Sequence, residues 1–369
     1  MLGLPTVARR RVTNPSSELE GHTGCQMTDE SIWALADLET PWSLFAIGTL
    51  AIADRIAAGT RGIAALARES NVNEEALRRV LLHLVQRGVF AETAPDQLEL
   101  TPLSRQLVGR NSGFDLSGIG GRMAGAYGTL LQVVRTGRPA YGDLFGRGFW
   151  EDLEANPALS ASFDDMMGPG GHPMPSPDIL LHDDWDGVVT VVDVGGGTGS
   201  LLAGILRQRP TIRATLVDRP DTVERARVLL GAAGVLDRVT LAPQSFFDPL
   251  PAGADLYVVR HVLNDWPEQE KVSILRSCAA AQSTISRVIV IGGVLPDDEA
   301  RRHPDLLMLV LFGGGECGLS RFAELAGQAG LEVSAAGEAP SREYVVELRL
   351  ARRRTRTAGM HLRVPRQQT

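Results

Sequence analysis

The chain has 369 residues, 44% of them apolar, and a formal net charge of −7. Its length allows about two or three domains around a sizeable core. The acidic balance argues against a nucleic-acid partner held by bulk electrostatics. No apolar run is long enough to span a bilayer. The basic start, Met1 to Arg11, lacks an apolar stretch behind it, so a secretory signal is not expected. The three cysteines, Cys25, Cys278 and Cys317, have no CxxC spacing. They suit a reducing cytoplasm and offer no metal site.

Residues 1–27 are polar and without period, and read as a disordered arm. From Thr28 the pattern becomes helical. Ile32, Leu35, Leu38, Trp42, Leu44, Phe45 and Ile47 have little charge between them. Helices this apolar bury both faces, here in a homodimer. A short helix from Ile63 and a turn at Asn71–Asn73 then precede a second helix, Glu74 to Gln86. Two short strands follow, near Val89–Thr93 and Gln97–Thr101. This winged-helix pattern could bind DNA or be purely structural. Glu74, Glu75, Arg78, Arg79 and His83 nearly cancel in charge, which favours the structural reading. Residues 28–110 thus form a helical and winged-helix unit.

Residues 111–185 read as mostly helical, with glycine-rich breaks and a loop over Gly168–Pro177. Trp150, Phe163, Met166 and Met167 stand out, and at helical spacing such residues are more often core than pocket. From residue 186 to 350 strands alternate with helices, an α/β pattern that predicts a parallel sheet covered on both faces. Strands are expected at 189–194, 213–217, 238–242, 255–260 and 287–294. Helices are expected at 199–208, 220–233 and 267–282, near 304–312, and at 319–329. An antiparallel pair, 331–335 and 343–350, closes the unit. The basic stretch within 351–369 reads as a solvated, disordered tail.

The second half is organised around Thr190 to Ser200, a buried strand running into Gly195, Gly196, Gly197 and Gly199. Such a loop exposes bare backbone N–H groups at a helix N-terminus. The dinucleotide fingerprint would need a glycine where Ser200 stands. Asp193 lies inside the strand, where a carboxylate suits an ammonium-bearing nucleoside better than a pyrophosphate. Asp218, at the end of the next strand, can take both ribose hydroxyls. NAD sites share such an acid, but the glycine pattern and Asp193 together favour S-adenosylmethionine over NAD.

Asp193-Val-Gly-Gly-Gly-Thr-Gly, Ser245-Phe-Phe-Asp-Pro-Leu-Pro251 and His261-Val-Leu-Asn-Asp-Trp266 occur in this order behind the winged helix. In this the chain resembles the small-molecule O-methyltransferases, both the plant caffeate-type and the bacterial antibiotic-pathway enzymes. Arg135-Thr-Gly-Arg-Pro-Ala-Tyr141, Phe149-Trp-Glu-Asp-Leu153 and Ser162-Phe-Asp164 are similar to the anthracycline-pathway branch. The resemblance covers about residues 28–350. It implies an N-terminal dimerisation domain, a Rossmann-like class I methyltransferase domain with a seven-stranded sheet, and an intertwined homodimer. It implies that Gly195 and Gly197 contact the methionine part of S-adenosylmethionine, and Asp218, with Arg219 beside it, the ribose. Ser245 and Phe246 would flank the adenine, and Arg260 would lie beside the cofactor. Ser245 departs from the family's usual Asp. Trp150, Phe163, Met167, His172, Met308 and Phe312 would line the acceptor pocket, with His303 and Asp305 on the helix that carries the last two. Gly313 to Gly315 would leave room for a wide, flat acceptor.

Catalysis is where the chain departs further. The family's catalytic His is Asn264 here, and the acid that orients that His is replaced by Gly292 or Gly293. A second supporting acid matches at Glu316. His261 and Asp265 remain as acid–base candidates beside Asn264. The expected reaction is methyl transfer to an aromatic hydroxyl, driven by proximity. The alternatives are a homologue that keeps the cofactor but hydroxylates or decarboxylates, methylation at carbon or nitrogen, and a winged-helix regulator.

Overall fold

The computed structural model describes residues 32–109, 112–168 and 174–351. The expected arm, His172 and all but the first residue of the expected tail lie outside the described residues. The first elements are α1 (Ile32–Leu35), α2 (Glu39–Thr49), α3 (Ile52–Ala57), α4 (Ile63–Ser70), α5 (Glu74–Gln86) and an antiparallel hairpin of β1 (Phe90–Ala94) and β2 (Gln97–Leu100). The start of α5 is fixed by its N-cap. The Asn73 side chain accepts from the Ala76 amide, and Glu74 and Glu75 occupy the first turn. Leu77, Leu81 and Leu84, on one face of α5, enter a core with Ile47, Ile52, Ile63, Leu66 and Leu98. The arginines of α5 are tied to acids of the same chain: Arg78 to Glu74 and Asp96, and Arg79 to Glu75.

Five helices follow: α6 (Ile119–Tyr127), α7 (Leu130–Thr136), α8 (Tyr141–Phe145), α9 (Phe149–Ala155) and α10 (Pro157–Met167). Tyr141 donates to Asp152 at 2.8 Å, and Arg122 pairs with the same carboxylate at 3.0 Å. That buried knot ties α6, α8 and α9 together.

The alternating half contains β3 (Thr190–Val194), α11 (Ser200–Gln208), β4 (Arg213–Asp218), α12 (Pro220–Ala232), β5 (Val239–Pro243), β6 (Leu256–Arg260), α13 (Glu268–Ala281) and β7 (Arg287–Ile291). Then come β8 (Val294–Leu295), α14 (Asp297–Ala300), α15 (Leu306–Leu311), β9 (Cys317–Gly318), α16 (Leu319–Gln328), β10 (Leu331–Glu338) and β11 (Tyr344–Leu350). Seven strands form one sheet in the order β10-β11-β7-β6-β3-β4-β5. The contacts of β3, β4, β5, β6 and β7 are parallel, whereas β11 runs antiparallel to both β7 and β10. The direction of winding reverses between β3 and β6. The carboxyl edge at such a switch point is where open α/β sheets bind ligands. Core clusters cover both faces: Leu201, Leu202, Ile205 and Leu216 belong to one, and Tyr257, Ile274, Phe322 and Val346 to the other.

Several expected boundaries move: the strand expected at 331–335 runs on to Glu338, and two others shift for a local backbone reason. The strand expected over 287–294 stops at Ile291, because Gly292 and Gly293 adopt φ of +73° and +83°. Val294–Leu295 then pairs with Cys317–Gly318 in a separate small ladder. The helix expected from residue 304 starts at Leu306. Asp305, at φ +40°, is in the left-handed region and leaves His303 outside the helix. No helix among the described residues is long and apolar enough to cross a membrane.

Leu202 lies fully buried behind the glycine loop. Leu202→Ala should cost about 3 kcal/mol in urea unfolding, through lost burial plus a residual cavity.

Candidate active site

The carboxyl edge of β3 and β4 carries the nucleotide-type half of the cleft. Gly195, Gly197 and Gly199 adopt φ of +71°, +57° and +83°, a turn that side-chain-bearing residues resist. A Cβ on Gly196 would press into the Asp193 carboxyl, and one on Gly195 would meet Val262 and Phe246. The loop therefore has to be glycine to close over Asp193. Asp218 receives the Gly197 N–H on one oxygen, at 2.8 Å, and the Arg219 N–H on the other, at 2.7 Å. Each oxygen keeps acceptor capacity for a ligand hydroxyl.

Asp193 is 2% exposed, and its Oδ2 has no partner among the described residues. Burial pushes its carboxyl up to about 7, with Asp218 adding to the rise and Arg260 opposing it. Burial likewise raises Asp218, against the pull of the two backbone N–H groups, with a smaller upward push from Asp164. An unpartnered acceptor beside a second carboxylate fits a cationic amino group and disfavours a phosphate. These residues therefore fit S-adenosylmethionine.

Ser245 is exposed, and its hydroxyl accepts from the Phe247 N–H at 3.2 Å, capping its own turn. Phe246 stands edge-on to Trp266 at 6.0 Å. Arg260 donates through Nε and a terminal nitrogen to Glu343, at 3.1 and 2.8 Å. His261, in the left-handed region at φ +52°, places Nε2 3.4 Å from the same carboxylate. A Cβ on Gly292 would collide with the His261 ring. A side chain at residue 292 would therefore need that ring to move.

The acceptor half is an aromatic cluster. Trp150 stacks on Phe312 at 5.4 Å and 13°, and on Trp266 at 6.2 Å and 14°. Phe163 meets Trp150 edge-on at 5.6 Å. The side chain at the end of α10 differs from expectation. Met166 packs against this cluster, three residues and about one turn from Phe163, whereas Met167 is 45% exposed. The glycine run also differs. Gly314 lies so close under the Asn264–Trp266 turn that a Cβ would strike its backbone, and Gly313 abuts Pro139. These glycines permit close backbone approach rather than open space.

Asn264 sits at that turn. Its carbonyl accepts from the Gly315 N–H at 2.7 Å. Its Nδ2 donates to Asp265 Oδ1 at 3.0 Å and approaches Met308 Sδ at 3.5 Å. Its Oδ1 is buried without a partner among the described residues. Burial raises Asp265 well above the usual carboxylate range, with Asp305 adding and Lys271 opposing. Lys271, itself buried, donates to the Gly315 carbonyl at 2.6 Å, and Asp305 accepts from the Glu316 N–H at 2.8 Å. Glu316 Oε2, Trp150 Nε1 and Trp266 Nε1 are further buried polar atoms without partners among the described residues.

Sequence reasoning missed Glu343, Lys271 and the wall formed by Trp266. Trp266 was present in the quoted Asn-Asp-Trp run. Glu343 is 83 residues from Arg260 and carried no local signal. Away from the cleft, Asp37, Glu39 and His83 cluster as possible metal ligands, but Arg87 and Thr40 already occupy an Asp37 oxygen.

Residues 127–332 match the family model described as an O-methyltransferase domain. The 2,7-dihydroxy-5-methyl-1-naphthoate 7-O-methyltransferase of Streptomyces carzinostaticus is 40% identical over 308 residues, covering 82% of this chain and 92% of that one. Aclacinomycin 10-hydroxylase of Streptomyces purpurascens is 37% identical over 318 residues, covering 81% and 83%. Among solved structures, an O-methyltransferase of neocarzinostatin biosynthesis, in complex with S-adenosyl-L-homocysteine and 1,4-dihydroxy-2-naphthoic acid, superposes with a TM-score of 0.80 at 38% identity. That match covers 88% of this chain and 99% of the other.

A cationic ligand that needs ionised Asp193 displaces its proton on binding. With a carboxyl near 7, affinity for adenosylhomocysteine, which keeps the ammonium, should fall as pH drops below about 7. Calorimetry in buffers of different ionisation enthalpy should detect proton release at pH 7, and Asp193→Asn should abolish it.

Proposed function

The chain belongs to the O-methyltransferase domain family, and we propose that it methylates a phenolic hydroxyl of an aromatic or polycyclic, quinone-type secondary metabolite. Its cofactor is S-adenosylmethionine, as in the family. When bound, this group would supply a methyl on a positively charged sulfur, with an O–CH3 bond formed as C–S breaks, the phenolic proton having passed to solvent before the cleft excludes water. Asp193, Gly195, Gly197, Asp218 and Arg219 would hold it from below, with Phe246, Ser245 and Arg260 around the rest.

The observation that carries the mechanism is the state of the Asn264 amide. Its Nδ2 is engaged by Asp265, which turns the unpartnered Oδ1 away as an acceptor. A carboxamide oxygen can receive a phenol's hydrogen bond but cannot keep its proton. Asn264 therefore aligns the acceptor oxygen about 3 Å from the methyl. A phenol beside a ring carbonyl is acidic enough to react by alignment and exclusion of water. Trp150, Phe163, Met308 and Phe312 would hold the ring system. Asp265 steadies the Asn264 amide, and Glu316, with Oε2 unpartnered among the described residues, stands as the supporting acid. His261, engaged with Glu343, is not assigned the proton.

Asn264→Ala should lower methylation of 1,4-dihydroxy-2-naphthoic acid by roughly tenfold to a hundredfold. A loss near 10⁴-fold would instead indicate general-base chemistry at this position. The second reading, hydroxylation, is favoured by the 37% identity to aclacinomycin 10-hydroxylase. Mass spectrometry separates the two readings. A gain of one methyl with adenosylhomocysteine formed supports methylation, and a gain of oxygen overturns it.

We also infer a homodimer built on the first helices, because Leu35 and Leu38 are 80% and 71% exposed. Light scattering should give twice the chain mass, and Leu35→Glu/Leu38→Glu should shift it toward monomer.

A further inference from the structure

Polar contacts join the two halves of the cleft through α10 and α12. Arg225, on α12, donates to Asp164 Oδ2 at 2.5 Å and to Ser160 Oγ at 2.8 Å, both on α10. Asp164 is 6% exposed and Ser160 1%. The helix that carries Arg225 begins directly after Asp218 and Arg219. The Arg219 amide holds Asp218 Oδ1, and its guanidinium lies 5.5 Å from the centre of the Trp150 ring. Thr222 lies between the two arginines, 3.4 Å from Arg219 and 3.5 Å from Arg225. On the other side, Phe163, the neighbour of Asp164, stands edge-on to Trp150 and Phe149.

A buried ion pair is a weak source of stability, because desolvation offsets most of its attraction. Its geometric effect is stronger. A guanidinium with two fixed acceptors sets the register of one helix against the other. We propose that Arg225 is a positioning residue that couples cofactor binding to acceptor binding. A ligand that settles Asp218 fixes the first turns of α12. Through Arg225 that order reaches α10, and with it the Phe163–Trp150 wall. The ordering cost met by the first ligand is then not met again by the second. The inference rests on reading the Asp218 side as the cofactor site and the aromatic cluster as the acceptor site.

The test is calorimetry with adenosylhomocysteine and 1,4-dihydroxy-2-naphthoic acid, each alone and each in the presence of the other. In the wild type, adenosylhomocysteine should tighten acceptor binding roughly tenfold, within the usual range of coupling between sites. Asp164→Asn/Arg225→Met removes both charges and leaves neither buried alone. It should bring the coupling to within about twofold of none, while affinity for adenosylhomocysteine alone changes less than about threefold. A merely structural role would weaken both ligands and leave the coupling factor intact, which would overturn the proposal. Wild-type binding of both ligands without coupling would overturn the proposal alone. Failure of the wild type to bind the acceptor would overturn the underlying reading as well. Ser160→Ala deletes one contact without stranding a charge, and serves if the double variant does not fold. It should reduce the coupling about twofold to threefold, and an unchanged factor would overturn the proposal.

Discussion

The cleft depends on a carboxylate held inside a parallel strand with one oxygen unpartnered. Asp193 lies between Leu216 of β4 and Val258 of β6, at the point where the sheet reverses its winding. Strand interiors reject a lone charge, so the surrounding chain has to accommodate this one. The glycine loop folds tightly over it, Asp218 stands opposite, and Arg260, itself shared with Glu343, supplies the counter-charge. Two neighbouring carboxylates make a poor seat for a pyrophosphate and a good one for an ammonium or sulfonium group. Ligand class is thereby decided by electrostatics that the glycine pattern alone does not express.

The opposite half is organised by backbone rather than by charge. The Asn264–Trp266 turn and the Gly313–Gly315 run approach so closely that only glycine fits at residue 314. The Gly315 N–H, the Lys271 ammonium and the Asp305 carboxylate then lock the two segments together. The polar tips that remain unengaged, at Asn264, Glu316, Trp150 and Trp266, project from a rigid frame. A rigid frame with free tips suits a reaction that needs alignment more than proton transfer.

The alternating half was legible in the sequence, because each strand is a continuous apolar run followed by a helix with a clear start. Asp193 and Asp218 were legible for the same reason, since each lies at or near a strand end, whereas Asn264 was singled out only through the family resemblance. Other features depended on contacts between distant parts of the chain. Arg260 finds Glu343, and Arg225 finds Asp164 61 residues away, with no periodicity to announce either pair. Glycine was the ambiguous letter. At 313–315 it reads equally as open room or as close approach, and only packing against Pro139 and the Asn264 turn decides between them. Met166 and Met167 differ by one helical step, finer than a boundary read from sequence.

Gly292 and His261 have a consequence for how this site could change over generations. Any side chain at residue 292 would need the His261 ring to move. It would also sit on a strained backbone, since Gly292 is left-handed at φ +73°. Change at residues 261 and 292 is therefore coupled, so natural variation around this fold is expected to diversify the acceptor walls before it alters this pair.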